Sequence, residues 1–167
     1  PVQAGTFERF VRSTAGASLI LALAVFAACL FGIFTRPVGF LATIWPANAI
    51  MLGLLLRMPR SASIIGWLAA TAAYLAADLL TGSTLFKAVI LNGANLVGIG
   101  AAYFVFTRLP VGMTRLEQPT SMLYLLLAAA VGSCASGAVG AVAHPLLFGG
   151  TAFGGWSFWF ATELVNY

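Results

Sequence analysis

The chain has 167 residues, of which 61% are hydrophobic and 7% are charged. Soluble domains carry about a quarter charged residues, so this composition excludes a water-soluble globule. The mean hydropathy of +1.01 instead predicts an all-α, polytopic transmembrane helical bundle. The net charge of +4 comes from basic residues that are scattered between apolar segments. Because binding to phosphates needs a cluster of basic side chains, we expect no nucleic-acid partner.

Five apolar segments are long enough to cross a bilayer, which takes roughly 20 helical residues, and a sixth segment begins before Tyr167. They cover residues 15–34, 40–58, 61–80, 85–106 and 120–148, and the sixth starts near Trp156. The sequence therefore predicts five complete spans plus the start of a sixth. Residues 1–14 are predicted to be a cytoplasmic or interfacial segment. Residues 15–167 are predicted to form a single transmembrane domain that is incomplete at its C-terminus.

Prolines modify two of these segments. Pro46 lacks a backbone N–H and is best tolerated in the first turn of a helix. The second helix is therefore predicted to begin within a few residues of Pro46, which leaves residues 40–44 as a loop or a short separate segment. In the fifth segment, His144 and Pro145 leave three outcomes open: a tilted helix, a kinked helix, or a helix that ends there.

The basic residues predict the orientation of the spans. With the N-terminus in the cytoplasm, six of the eight basic side chains fall on the cytoplasmic side, as the positive-inside rule requires. They are Arg9, Arg12, Arg57, Arg60, Arg108 and Arg115. Only Arg36 and Lys87 fall outside. We therefore expect the polar linker at residues 108–119 to be cytoplasmic and the turn near Gly82 to be external.

A few polar residues fall within the apolar segments, where they are costly and mark candidate functional positions. They are Asn48, Asp78, Asn92, Asn95 and Glu163. Each asparagine can be a ligand contact or an interhelical hydrogen bond. Asp78 either reaches the outer interface, where Lys87 is a possible partner, or lies inside. Glu163 is predicted to share an inward face with Trp156, Trp159 and Asn166, with Asn92 and Asn95 as its nearest partners.

The sequence contains no constellation that is typical of an enzyme or a metal site. There is no phosphate loop, zinc motif or serine–histidine–acid arrangement, and His144 is too isolated to form a metal set with Cys29 and Cys134. The two cysteines are predicted to be small buried hydrophobes. We expect no catalysis and no metal site within these residues, and the sequence identifies no cofactor.

Small residues recur every four positions in the fourth and fifth segments, and we expect them to pack helices within the chain rather than across a dimer.

Four motifs follow one another in an order that resembles a known family. They are Ile44-Trp45-Pro46-Ala47-Asn48-Ala49-Ile50, Arg57-Met58-Pro59-Arg60, Asn92-Gly93-Ala94-Asn95-Leu96-Val97, and Trp156-Ser157-Phe158-Trp159-Phe160-Ala161-Thr162-Glu163. This order is similar to the first class of bacterial membrane-associated sensor domain. Such domains are the integral-membrane input modules of diguanylate cyclases and histidine kinases, and they usually have about eight or more spans. The chain departs from the family at Asn48, where glycine or serine is more usual, and in lacking the later spans and an output domain.

The resemblance implies a sensory input module in the bacterial inner membrane. Its ligand, or a membrane state, would be detected in a cavity among the second, fourth and sixth spans. The predicted ligand-binding residues are Trp45, Asn48, Asn92, Asn95 and Glu163. The implied partners are the lipid bilayer and a cytoplasmic output domain of the same chain beyond Tyr167, and a homodimer or a larger membrane complex stays open.

Two other functions are compatible with the sequence. The first is a non-catalytic structural or accessory subunit of a larger membrane complex, for which the small-residue faces would serve as docking surfaces. The second is a transporter, which the intramembrane acids Asp78 and Glu163 would suit. The sequence shows no pair of broken helices in corresponding halves, a feature that many transporters have.

Overall fold

The computed structural model describes Phe10 and residues 13–35, 44–109 and 119–167, and every regular element within them is helical. The α-helices, numbered here in chain order, are α1 (Thr14–Thr35), α2 (Ala47–Arg57), α3 (Ile64–Leu80), α4 (Leu85–Arg108), α5 (Pro119–Phe148) and α6 (Ala152–Asn166), with a 3₁₀ helix (Pro59–Ala62) between α2 and α3. The all-α prediction is confirmed for the described residues. Residues 36–43, before Ile44, and residues 110–118, between α4 and α5, lie outside the described residues.

Three of the helices, α1, α4 and α5, are long and apolar enough to cross a membrane. Their 22, 24 and 30 residues correspond to about 33, 36 and 45 Å at 1.5 Å per residue. The hydrocarbon core of a bilayer is about 30 Å thick. The protein therefore has the helices of a membrane protein, and the first, fourth and fifth predicted spans have the length that the sequence indicated.

The second and third predicted spans are shorter than expected. Helix α2 has 11 residues, or about 16 Å, and α3 has 17 residues, or about 26 Å. The predicted start near Pro46 is confirmed, because Pro46 is the N-cap of α2. Pro59 also cannot continue an α-helix, and residues 59–62 form a 3₁₀ turn instead. Five complete spans are therefore not confirmed.

The chain divides into two compact units, Pro1–Ala88 and Val89–Tyr167, with the boundary inside α4. In the first unit, α1 packs against α3 and α2. Its core consists of apolar side chains from all three helices, with Leu21, Val25, Cys29, Met51, Leu55, Ala70 and Tyr74 almost fully buried. The Ser61 hydroxyl donates to the Leu54 and Met58 carbonyls at 3.1 and 2.7 Å. This serine ties the end of α2 to the 3₁₀ turn.

The ends of α3 follow from its flanking residues. The Ser63 side chain accepts a hydrogen bond from the Gly66 N–H at 3.2 Å and caps the first turn. At the other end, Gly82 has a positive φ of 92°, which costs glycine nothing. The Ser83 N–H donates to the Asp78 carbonyl at 2.9 Å and the Gly82 N–H to the Leu79 carbonyl at 3.2 Å. These two bonds form a Schellman motif.

In the second unit, the helices approach through glycines. A β-carbon added to Gly98 of α4 would lie 3.1 Å from the Gly132 carbonyl oxygen of α5, and one added to Gly132 would lie 2.9 Å from the Gly98 carbonyl oxygen. On α5, a β-carbon at Gly140 would lie 2.7 Å from the Trp159 ring of α6. Small residues of α4 and α5 therefore pack helices within the chain, as predicted for these two segments.

The turn between α5 and α6 ends earlier than predicted, because α6 begins at Ala152. Helix α5 continues through Pro145 to Phe148, so it does not end at His144. Gly149, with φ of 72°, follows it. Helix α6 begins at Ala152, four residues before the predicted start, because the Thr151 side chain caps it by accepting from the Gly154 N–H at 3.0 Å.

Large apolar side chains cover much of the exposed surface, and Leu23, Ile64, Phe153 and Val165 are among them. Such a surface suits contact with lipid.

The two cysteines differ, because Cys29 is buried and Cys134 is exposed. The prediction that both are buried is therefore wrong for Cys134. A bilayer is as apolar as a protein core, so an apolar segment does not by itself indicate which side chains face inward.

Candidate functional site

The five predicted ligand-binding residues fall in both units. Trp45 and Asn48 belong to the first unit, and Asn92, Asn95 and Glu163 belong to the second. The four polar residues among them are buried, with exposed fractions of 0% for Asn48, 2% for Asn92, 7% for Asn95 and 5% for Glu163. The cavity that would join all five stays a prediction. The structure does show a polar cluster within each unit.

The first cluster centres on Asn48, the second residue of α2. The Tyr74 hydroxyl of α3 donates to Asn48 Oδ1 at 2.7 Å, and both side chains are almost fully buried. This hydrogen bond joins α2 to α3 across the core. It fixes the Asn48 amide in an interhelical contact, one of the two roles that the sequence left open. Tyr74 was not predicted, although a tyrosine four residues before Asp78 places two polar groups on one helix face.

Trp45 holds the start of α2 against α1. A β-carbon at Gly32 would collide with the six-membered ring of the Trp45 indole. Trp45 itself is half-buried. The absence of a side chain at Gly32 therefore allows the Trp45 ring to lie directly on the α1 backbone, next to the proline that begins α2. This contact explains why a tryptophan precedes Pro46, and it needs no ligand.

Asp78 belongs to the same cluster. Its exposed fraction is 7%, so the structure places it inside the unit and not at an exposed helix end. It lies one turn after Tyr74 on α3, and it interacts electrostatically with Cys29 of α1. A carboxyl, a thiol, a phenol and an amide therefore line the contact of α3 with α1 and α2. The predicted partnership of Asp78 with Lys87 stays a prediction.

The second cluster contains the two asparagines of α4. The Asn95 Nδ2 donates to Asn92 Oδ1 at 3.3 Å, as their spacing of three residues permits. The sequence prediction that these residues form one polar face of α4 is confirmed.

Glu163 lies on the buried face of α6. Gly155, Trp159 and Glu163 follow one another at intervals of four residues and are all buried, whereas Phe158 and Val165 are exposed. The prediction that Glu163 faces the interior is confirmed. Glu163 also interacts electrostatically with Tyr167, one turn further along. Contact of Glu163 with Asn92 or Asn95 stays a prediction.

Aromatic side chains extend along a neighbouring face of α6. The Trp156 ring stacks on Phe160 with centroids 5.1 Å apart and planes 9° apart, and on Phe153 at 6.4 Å and 21°. A β-carbon at Gly137 would lie 3.1 Å from the Trp156 ring. The stacks lie within α6 and position Trp156, whereas the contacts of Trp156 with Gly137 and of Trp159 with Gly140 pack α6 against α5. The Trp-x-x-Trp motif is therefore used for packing.

Several buried polar atoms have no hydrogen-bond partner among the described residues. They include the hydroxyls of Ser18, Ser121, Ser133, Ser136 and Tyr167, and His144 Nδ1. The described residues contain no group of three or more His, Cys, Asp or Glu side chains that could hold a metal ion. The two buried carboxyls, Asp78 in the first unit and Glu163 in the second, can form hydrogen bonds and exchange protons.

Comparison with known proteins gives no relative. No protein-family model, no curated protein and no solved structure matches this chain. The resemblance to bacterial membrane-associated sensor domains therefore rests on the four motifs in the sequence.

Proposed function

We propose that the protein is an integral-membrane sensory input module of the bacterial inner membrane, which detects a ligand or a membrane state and signals to a cytoplasmic output domain beyond residue 167. The observation that supports this role best is the burial of polar side chains in otherwise apolar helices. Asn48, Asp78, Asn92, Asn95 and Glu163 are each at most 7% exposed.

Burial of this kind needs a reason, because polar groups in a bilayer are costly and concentrate at functional positions. The Asn48–Tyr74 bond accounts for one of these residues by packing. In the second unit, the ionisable Glu163 and two asparagines are buried, and Glu163 lies on the same helix as the Trp156 stack. We therefore assign ligand or proton detection to Asn92, Asn95 and Glu163, and a supporting role to Trp45 and Asn48.

A sensor also needs two arrangements that a stimulus populates differently. Contacts through glycine suit such a change, since they hold helices by close packing and not by many side-chain hydrogen bonds. In the second unit, α5 meets α4 at Gly98 and Gly132, and it meets α6 at Gly140. If a stimulus at Glu163 shifted α6 slightly against α5, the residues that follow Tyr167 would move with α6.

The coding sequence downstream of Tyr167 tests the proposal directly. We expect it to encode further apolar helices and then a cytoplasmic signalling domain. A stop codon soon after Tyr167 would contradict the proposal and favour an accessory subunit. That alternative has less support, because the small-residue faces on which docking would depend contact other helices of the same chain.

The proposed orientation places the N-terminus in the cytoplasm. A single cysteine introduced at Ser83, in a chain without its native cysteines, should react with a membrane-impermeant reagent added to intact cells. A cysteine at Thr114 should react only after the membrane is opened. Thr114 lies outside the described residues, and its predicted position comes from the distribution of basic residues. Labelling of Thr114 in intact cells would reverse the topology.

A transport role is the second candidate, and one observation favours it. Two acidic side chains, Asp78 and Glu163, are buried in the helices. Buried acids within membrane segments often mark ion or proton pathways. Proton-coupled uptake of a solute into liposomes containing the protein, lost in Glu163→Gln, would support this candidate over the sensor.

A further inference from the structure

The turn between α2 and α3 lies towards one end of the first unit. At its start, α2 contacts the last turn of α1, where Trp45 lies on Gly32. It also contacts the second half of α3, where Asn48 accepts the hydrogen bond from Tyr74. The 11 residues of α2 then lead away from these contacts for about 16 Å. The turn that follows, at residues 58–63, therefore lies towards the opposite end of the unit.

Hydrogen bonds and close packing fix the backbone of this turn. The hydroxyl and the N–H of the buried Ser61 both donate to the Met58 carbonyl, at 2.7 and 2.8 Å. The first turn of α3 packs directly on it, since a β-carbon at Gly66 would collide with the Ser61 carbonyl oxygen. Two arginines belong to this fixed segment. Arg57 is the last residue of α2, and Arg60 lies in the 3₁₀ helix.

These arginines have no counter-charge in the described part of the first unit. Both side chains are exposed. Asp78 is the only acid among the described residues of that unit, and it lies near the far end of α3. About 21 Å of helix separate it from the turn, whereas an ion pair needs a nitrogen–oxygen distance of about 4 Å or less. The turn is therefore a small, exposed and positively charged surface.

An exposed apolar surface begins directly after the arginines. Ile64, Ile65 and Leu68, in the first two turns of α3, have exposed fractions of 80%, 59% and 64%. A phospholipid has the same order of chemistry, because its phosphate lies at the edge of the hydrocarbon and its acyl chains lie within it. The guanidinium fork of arginine forms paired hydrogen bonds with phosphate oxygens. Charge and apolar exposure at the turn are therefore complementary to a phospholipid.

We propose that the turn is a binding site for an anionic phospholipid, in which Arg57 and Arg60 bind the headgroup phosphate and the exposed apolar side chains of α3 contact the acyl chains. Basic groups near the ends of membrane helices attract anionic headgroups. Two positive charges favour a headgroup of net negative charge over one whose phosphate is already neutralised by an ammonium group. The proposal is independent of the sensory role and of the orientation of the spans, because it depends only on the residues of the turn.

Native mass spectrometry of the whole chain, released from a neutral detergent, tests the site by measuring the affinity for each added lipid. We expect phosphatidylglycerol to bind several-fold more tightly than phosphatidylcholine with the same acyl chains. Arg57→Gln and Arg60→Gln should each weaken the binding of phosphatidylglycerol about fivefold. The matched control is Arg108→Gln, which removes the same charge from the end of α4, where the guanidinium lies 4.4 Å from the centre of the Phe104 ring.

Two results of this experiment would overturn the proposal. The first is equal affinity for the two lipids. The second is an equal loss of affinity in Arg108→Gln, because the attraction would then be to the net charge of the protein and not to the turn.

A further comparison distinguishes a lipid from a free anion. Excess inorganic phosphate should leave phosphatidylglycerol bound, because phosphate makes no apolar contacts. The double change Ile64→Ser with Ile65→Ser should weaken the binding of phosphatidylglycerol several-fold without removing a charge. Both side chains are exposed, so the core of the unit stays intact. Displacement of the lipid by phosphate, or native affinity in the double variant, would show that the turn does not recognise a phospholipid.

Discussion

Both units pack a tryptophan against a glycine, Trp45 at Gly32 in the first and Trp159 at Gly140 in the second, and their other helix contacts differ. In the first unit, side-chain hydrogen bonds cross between elements, from Tyr74 to Asn48 and from Ser61 to the end of α2. In the second unit, glycines bring backbone against backbone and backbone against tryptophan, at Gly98, Gly132 and Gly140. Cross-helix hydrogen bonds fix which residues face each other, whereas close packing fixes the distance between helices. The first unit therefore shows helix contacts fixed by side-chain hydrogen bonds, and the second shows helix backbones in close contact at Gly98 and Gly132.

Among the substitutions that test this comparison, the largest change in the free energy of unfolding is expected at Gly140. In Gly140→Ala, the new β-carbon would lie 2.7 Å from the Trp159 ring. Overpacking of this kind typically costs about 1–3 kcal/mol. The matched control is Gly100→Ala in α4 of the same unit, where nothing lies within 4 Å of the added carbon. There the change should stabilise by about 0.5–1 kcal/mol, because alanine is the better helix former. Reversible unfolding in mixed micelles would measure both free energies, and equal values would show that close packing does not hold α5 and α6 together.

The first unit should respond instead to the loss of a hydrogen bond. Tyr74→Phe removes the donor to Asn48 Oδ1 while it keeps the ring in place. Interhelical hydrogen bonds in membranes contribute about 0.6–2 kcal/mol, and the free energy of unfolding should fall by this amount.

Asn48→Ala combined with Tyr74→Phe completes a double-mutant cycle, which isolates the energy of this pair. We expect a coupling energy of about 1 kcal/mol from a single hydrogen bond. A coupling energy near zero would show that the Asn48–Tyr74 hydrogen bond does not stabilise the unit. Asn48 would then again be a candidate ligand-contact residue.

The smallest effects are expected at the helix N-caps, where the two units use the same device. Ser63 caps α3 in the first unit and Thr151 caps α6 in the second. Replacing either residue by alanine should cost about 1 kcal/mol. The change at Thr151 should also loosen the start of α6, which amide hydrogen exchange at Gly154 and Gly155 would detect. Similar exchange rates in the native chain and in Thr151→Ala would show that packing alone holds this helix end.

The sequence predicted the long helices better than the short ones. Helix α4 was predicted almost to its ends, because its apolar residues are uninterrupted and a turn precedes it. The second span was assigned too much length from hydropathy, since residues 40–46 are as apolar as a span, whereas the start of α2 at Pro46 was predicted because proline is tolerated in the first turn of a helix. The inward position of Glu163 could be predicted, because a carboxyl facing lipid is costly.

The partners of the buried residues were harder to predict. The Tyr74–Asn48 bond joins positions 26 residues apart, and no local pattern indicates which spans lie side by side. The exposure of Cys134 was missed because apolar segments carry little information on which side meets lipid.

The central claim is that Glu163 takes part in detecting the stimulus, and the output of the complete protein tests it most directly. Basal output of the proposed downstream domain, as second-messenger synthesis or phosphoryl transfer, would be measured in membranes for the native protein and for Glu163→Gln. The matched control is Val165→Ala, at a position on the same helix that is 83% exposed. We predict that Glu163→Gln keeps the native amount of folded protein, because the amide preserves shape and hydrogen bonding, and changes the output several-fold, whereas Val165→Ala leaves it unchanged. Native output in Glu163→Gln at equal protein level would contradict the account.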